Sequence, residues 1–177
     1  MEAYHDHEWG VPIHDDQKLF EYIILDTFQA GLSWKTVLHK RENFRAAFAQ
    51  FDPVAVAQFT EQETDALMQN AGIVRNRLKI KGAVKNAQAF LKIQAEFGTF
   101  NQYIWSFVGH KPVQNNWQNM KQVPASTPAS DAMSKDLKKR GFTFVGTTIC
   151  YAFMQAAGLI NDHLTSCPCH NKAAQLF

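Results

Sequence analysis

Apolar positions along the 177-residue chain recur at intervals of three and four, and period-two alternation is nearly absent. Such spacing puts side chains on one face of a helix, so the pattern predicts an all-α fold of about eight to ten short helices with no strand. One helix has Asp15 or Asp16 as its cap and Phe20, Ile23, Ile24 and Thr27 on one face, and it breaks near Gly31. Ser33 opens the next, with Val37, Leu38, Phe44 and Phe48 buried, and Asp52 followed by Pro53 marks another start. Thr60 and Glu63 form a capping box for a short helix ending at Gly72. A long helix follows, with Ile80, Val84, Ala87 and Leu91 on one face and Gly98 as its stop. Thr99 then caps a helix that gathers Phe100, Tyr103, Ile104 and Phe107. Between Gly109 and Ala129 the periodicity dissolves into Pro, Asn, Gln, Ser and Thr, a long connection over the surface.

The stretch Lys138 to Gly158, KKRGFTFVGTTICYAFMQAAG, reads as a helix end, a tight hairpin and a second helix. Ser130 or Asp131 caps the first helix, whose basic last turn, Lys138, Lys139 and Arg140, suits a helix C-terminus that Gly141 closes with positive φ. Thr147 or Thr148 caps the second, in which Ile149, Phe153, Met154 and Ala157 recur at helical spacing. Gly146 permits close approach to the backbone, and the free amides after it suit a nucleic-acid phosphate. A well-capped helical hairpin without a ligand uses the same residues, so other segments must decide.

Length and composition point to one compact unit with a single core. A formal charge of +2 is too small to announce nucleic acid by itself, but the basic residues cluster at 35–45, 75–85 and 135–140, either as local patches or as solvated helix faces. No apolar run is long enough to span a bilayer, and MEAYHDHEWG lacks the features of a signal peptide, so a cytoplasmic protein is expected. Two of the three cysteines fall in SCPCH, which fits a reducing compartment and a metal site better than a disulfide framework; Cys150 belongs to the core.

Two groups of residues carry candidate chemistry. In LDTFQAGLSW, Leu25 to Trp34, Asp26 sits within an apolar helix, where burial costs several kcal/mol unless a hydrogen bond or a cation meets it. Tyr4, Trp9 and Trp34 are either core residues or the walls of a slot whose π faces hold a planar cation. The second group is His5, His7 and His14 near one end, with His163, Cys167, Cys169 and His170 near the other. Imidazole and thiolate together select zinc. Drawn from both ends, such a site clips them together; a zinc-dependent hydrolase would instead use His5, Asp6, His7 and His14.

The blocks YHDHEWG, QAGLSWKTVLHKRENFRAAF, AGIVRNRLKI and LKKRGFTFVGTTICYAFMQAAGLINDH occur in order, and with them the chain resembles the DNA-3-methyladenine glycosylase I family of bacterial alkylation repair, from Tyr4 to Cys167. The resemblance implies a helix-hairpin-helix glycosylase fold, with the element at about 131–158 as the DNA anchor through Gly146, Thr147 and Thr148. It implies hydrolytic release of a flipped 3-methyladenine from double-stranded DNA without strand cleavage, by a monomer. An inactive helix-hairpin-helix DNA-binding protein is the alternative. By match, Tyr4, Trp9 and Trp34 line the base pocket, Gly31 and Leu32 lie where the duplex is wedged open, and Asp26 occupies the place of the family's pocket Glu, one methylene shorter. Asp26 there accepts a hydrogen bond from the base or positions a water; Asp162 is a second candidate, expected to be structural. The family's structural zinc matches His5, His163 and Cys167. Its fourth ligand, a cysteine in an N-terminal segment, has no match here, so zinc is either incompletely held or completed by Cys169 or His170.

Overall fold

The computed structural model describes residues 1–176, and among these the chain forms eleven α-helices: α1 (Glu2–His7), α2 (Asp16–Gln29), α3 (Trp34–His39), α4 (Arg41–Ala47), α5 (Pro53–Ala57), α6 (Glu61–Leu67), α7 (Arg77–Phe97), α8 (Phe100–Trp105), α9 (Pro128–Lys139), α10 (Thr147–Ala156) and α11 (Pro168–Ala174). The predicted all-α class holds. Every residue of α2 from Leu19 to Phe28 is buried, as expected of a helix enclosed on all sides, and α3, α7, α8 and α10 pack around it.

Local chemistry sets most boundaries. Asp15 caps α2 by accepting from Lys18 N at 2.8 Å, whereas Asp16 accepts from Phe100 N and Asn101 N, both at 2.8 Å, and so fastens the start of α8 to the start of α2. Both acids act as caps, on different helices. The Thr60–Glu63 capping box forms, but its helix stops at Leu67 rather than Gly72. The region after Ser33 is two helices broken at Lys40, and on α7 Leu91 is half-buried while Phe90 and Ile93 enter the core. A two-residue parallel pairing, β1 (Val113–Gln114) with β2 (Ile160–Asn161), corrects the expectation of no strand. Period-two alternation could not announce it, because two residues are too few to show a period.

The helical hairpin is present with shifted edges. Thr127, not Ser130 or Asp131, is the cap of α9, in a reciprocal capping box with Ser130 and with Pro128 in the first turn. At the other end Gly141 (φ 101°) donates to Lys138 O and Phe142 donates to Leu137 O, the paired closure of a Schellman motif. Thr147 and Thr148 do not cap α10. Gly146 takes the cap position with no side-chain bond, and the Thr147 hydroxyl is held by Asp131 at 2.6 Å and Ser130 at 2.8 Å. The first-turn amides of α10 are therefore left without a capping side chain.

Helix α7 holds this hairpin from beneath. A Cβ on Gly82 would come within 2.9 Å of the Thr143 side chain, so only glycine allows the hairpin this close. Fully buried Asn86 then donates to Thr143 O at 3.1 Å and accepts from Thr143 N at 2.8 Å. Replacing Asn86 by Ala orphans both backbone groups. The loss should be about 1–3 kcal/mol of stability, lowering Tm by roughly 2–4 °C per kcal/mol. Thermal melts check this; an unchanged melt would show the clamp to be idle.

Candidate active site

The N-terminal segment reaches the site by docking on the end of α10. Gly10 N donates to Gln155 O at 3.1 Å and Ile13 N donates to Ala157 O at 2.9 Å. At Gly158 (φ 74°) an added Cβ would stand 2.3 Å from the Val11 and Pro12 backbone, so the two segments meet backbone to backbone. This contact sets α1 and Trp9 opposite the α2–α3 hinge, across a cavity of about 430 Å³, within the range of small-molecule sites. Tyr4, Trp9, Asp26 and Trp34 all line it. The four residues expected in one pocket are thus brought together, with the Tyr4 and Trp34 rings 5.5 Å apart.

Three buried polar atoms on this cavity wall have no hydrogen-bond partner: Asp26 Oδ2, Tyr4 OH and Trp34 Nε1. Buried polar groups are nearly always paired, so three orphans facing one cavity mark a place built for a polar ligand. Burial drives the Asp26 carboxyl well above the ordinary carboxylate range, and the Tyr4 phenol is raised by burial and by the nearby Asp26. Around the cavity the polar groups are satisfied. Glu8 accepts from Arg41 at 2.6 and 3.0 Å and from Tyr22 OH at 3.0 Å, fixing the segment before Trp9 to α2 and α4. Asp162 lines the same cavity but accepts from Asn115 (2.7 Å), Trp117 (2.8 Å), Gln155 (2.9 Å) and Tyr151. Its oxygens are spent on holding the 113–117 connection in place, which is a structural role.

The hinge between α2 and α3 turns at Gly31 (φ 78°) and leaves Leu32 41% exposed, large for an apolar side chain beside a cavity. Ser33 caps α3 by accepting from Thr36 N. One contributor is hidden in the sequence. Lys79, counted there with a basic cluster, is only 7% exposed; its ammonium donates to Phe28 O at 2.9 Å and to Ala30 O, capping α2 beside the hinge. Desolvation lowers its pKa. Helical spacing places position 79 in line with buried Ala83, Asn86 and Phe90 on α7, a signal that a patch reading overlooks.

At the cavity's outer edge, donor atoms of His5, His163, Cys167 and Cys169 all lie within 4.8 Å of one another. His5 Nδ1 is 2.7 Å from Asp6 Oδ1, and His163 Nε2 is 2.9 Å from Trp9 O. Each bond occupies one ring nitrogen and turns the other toward Cys167 Sγ, His5 Nε2 at 3.9 Å and His163 Nδ1 at 3.8 Å. A ligating histidine held by a carboxylate or a carbonyl on its far nitrogen is the usual arrangement around zinc. Tetrahedral zinc bonds of about 2.0–2.3 Å separate their donors by roughly 3.3–3.8 Å, close to the His5–Cys167 and His163–Cys167 separations of 3.9 and 3.8 Å, so the donor set fits the metal once its widest pairs draw slightly together. His14 stacks on Trp105 and meets Asn101 at 2.8 Å, so a hydrolytic set of His5, Asp6, His7 and His14 does not form.

The family model described as methyladenine glycosylase matches residues 1–170. The chain belongs to the methyladenine glycosylase family. It is 56% identical over 168 residues to DNA-3-methyladenine glycosylase 1 of Escherichia coli K12, covering 95% of this chain and 90% of that protein. A crystal structure of 3-methyladenine DNA glycosylase I superposes with a TM-score of 0.94 at 55% identity, covering 96% and 93% of the two chains. The Staphylococcus aureus glycosylase I, solved to show the structural basis of 3-methyladenine recognition, gives a TM-score of 0.94 at 40% identity, with coverage of 96% and 90%.

This glycosylase carries its unpaired pocket carboxyl at a cost in stability. A carboxyl raised on folding adds stability that is full below its unfolded pKa and is lost as pH rises toward the folded pKa. Asp26→Asn should therefore raise Tm relative to the parent, with a gap that widens as pH rises above about 4, by roughly 2–4 °C per kcal/mol relieved. Paired melts over a pH series measure it, and a gap independent of pH would mean that Asp26 is not held neutral.

Proposed function

We propose that the chain binds double-stranded alkylated DNA as a monomer, turns a 3-methyladenine nucleotide into the Tyr4–Trp34 cavity and hydrolyses its N-glycosidic bond. The observation that carries this reading is the trio of orphaned polar atoms, Asp26 Oδ2, Tyr4 OH and Trp34 Nε1, on one aromatic-walled cavity. The related proteins named for 3-methyladenine support it. The likeness runs over residues 1–170, which supports reading the chain as one glycosylase unit. No helix among the described residues is long and apolar enough to cross a membrane, in keeping with work on cytoplasmic DNA.

A methyl group on N3 gives the base a positive charge in DNA, so the leaving group is already activated and selection is the main task. The base must be unstacked, at a cost of a few kcal/mol that is smaller for damaged nucleotides. Exposed Leu32 at the Gly31 turn fills the space it vacates. The faces of Tyr4, Trp9 and Trp34 favour a cationic ring over neutral adenine. Asp26 accepts from the exocyclic amine, and the cation restores the charge that burial suppresses. Water then bonds to C1′ as the C1′–N bond breaks; its electron pair passes to the base, neutralising it, and the water proton leaves to solvent. Gly146, the first-turn amides at Thr147 and the exposed Thr148 hold the phosphate backbone.

Zinc, which His5, His163 and Cys167 would hold, would supply a structural cross-link and no chemistry to the reaction. Chelation should accordingly lower Tm before it removes activity at moderate temperature, whereas immediate loss in the still-folded protein would mark a catalytic metal.

Chromatography of bases released from methylated duplex DNA tests the function directly. Free 3-methyladenine is expected, and binding without release would mark an inactive DNA-binding protein. Asp26→Asn should lower kcat/KM by about 10- to 100-fold while sparing affinity for abasic DNA. Because the ionised carboxylate is the better acceptor, kcat/KM in the parent should climb with pH through the raised pKa of Asp26, and the variant should lose that rise.

A further inference from the structure

Structural zinc takes four ligands, and beside His5, His163 and Cys167 the tail offers two further candidates, two and three residues beyond Cys167. We infer that Cys169 is the fourth ligand, so that this chain closes its metal site with a second thiolate from its own tail. The inference rests on the zinc reading above.

Four observations select Cys169. Its Sγ belongs to the set of donors lying within 4.8 Å of one another, together with His5, His163 and Cys167. Its side chain is turned inward, with the residue 6% exposed and Sγ 3.6 Å from Asp6 Oδ1, the carboxylate that also orients His5. His170 is committed elsewhere. Its Nε2 lies 2.8 Å from Asn115 O and 2.7 Å from Gln114 Nε2, and its carbonyl accepts from Asn161 Nδ2 at 2.9 Å, so the ring is fixed beside the short strand pairing. Cys150 is remote from the set, buried in the core and donating to Val145 O.

Local structure explains the fit. Cys167 takes the cap position of α11 with Pro168 in the first turn, and proline's fixed φ sets how the chain turns from one cysteine to the next. The cysteines of Cys-Pro-Cys straddle that turn and face one point. Three ligands then come from 163–169 and one from α1, giving a closed Cys2His2 site. Such a site leaves no position for water, which agrees with a cross-link rather than a catalyst.

X-ray absorption at the zinc edge of the unaltered protein counts sulfur neighbours without any variant. Two sulfurs and two nitrogens are expected; one sulfur, with nitrogen or oxygen completing the shell, would overturn the assignment. Cobalt(II) substitution provides the residue-level test. Cys169→Ser should lose about half of the thiolate-to-cobalt charge-transfer intensity and bind zinc at least tenfold more weakly against a chromophoric chelator, while Cys150→Ala changes neither. Parent intensity and affinity retained in Cys169→Ser would remove Cys169 from the site with the zinc reading intact. Failure of the unaltered chain to take up either metal would overturn both readings.

Discussion

The docking of residues 10–13 onto the end of α10 is the constraint on which the functional architecture depends. The base cavity has one wall from α1 and Trp9, another from the α2–α3 hinge and a third from α10 and the segment after it. The first and third are far apart in sequence, so the cavity exists only where the two segments meet. Backbone contact at Gly158 and two amide–carbonyl bonds make that meeting. The His/Cys cluster lies beside the same junction, where free chain ends fray unless something ties them down. A metal held by that cluster, as proposed above, would reinforce a contact that backbone packing already specifies.

The same architecture isolates an unsatisfied acid. Most polar groups near the cavity are engaged, from the Glu8–Arg41–Tyr22 set to the four donors around Asp162. Against that background the lone Asp26 oxygen stands out because nothing nearby competes for it. Leaving that carboxyl without a partner gives up folding stability, and in the proposed reaction a cationic base would fill the deficit, a common relation between stability and activity.

Much of this was legible in the sequence because it depends on local chemistry. Helical periodicity, the Thr60–Glu63 box, the Ser33 cap and the Gly31 turn are set by residues three or four apart. Asp26 was conspicuous for being acidic within an apolar stretch, and the histidines and cysteines for their type. What escaped depends on contacts across the chain. Asp16 caps a helix that begins more than eighty residues later. Thr127 took the cap expected of Ser130 because Pro128 starts the helix earlier. Lys79 read as a surface charge because its two acceptors are carbonyls some fifty residues away. The choice between Cys169 and His170 turned on what the loop at 114–115 holds, which tail spacing does not reveal.

Lys79, Gly82 and Asn86 fall at i, i+3 and i+7 on α7, one stripe of a single helix. Lys79 fastens the hinge that presents Leu32, and the other two fasten the hairpin that presents Gly146. At 1.5 Å of rise per residue these fastenings lie only about 10 Å apart along a rigid rod. The helix thereby works as a caliper: the gap between the Leu32 turn and the Gly146 hairpin is set by the fold itself, and in the function proposed above that gap would fix how far along the strand from the gripped phosphate a nucleotide is inspected.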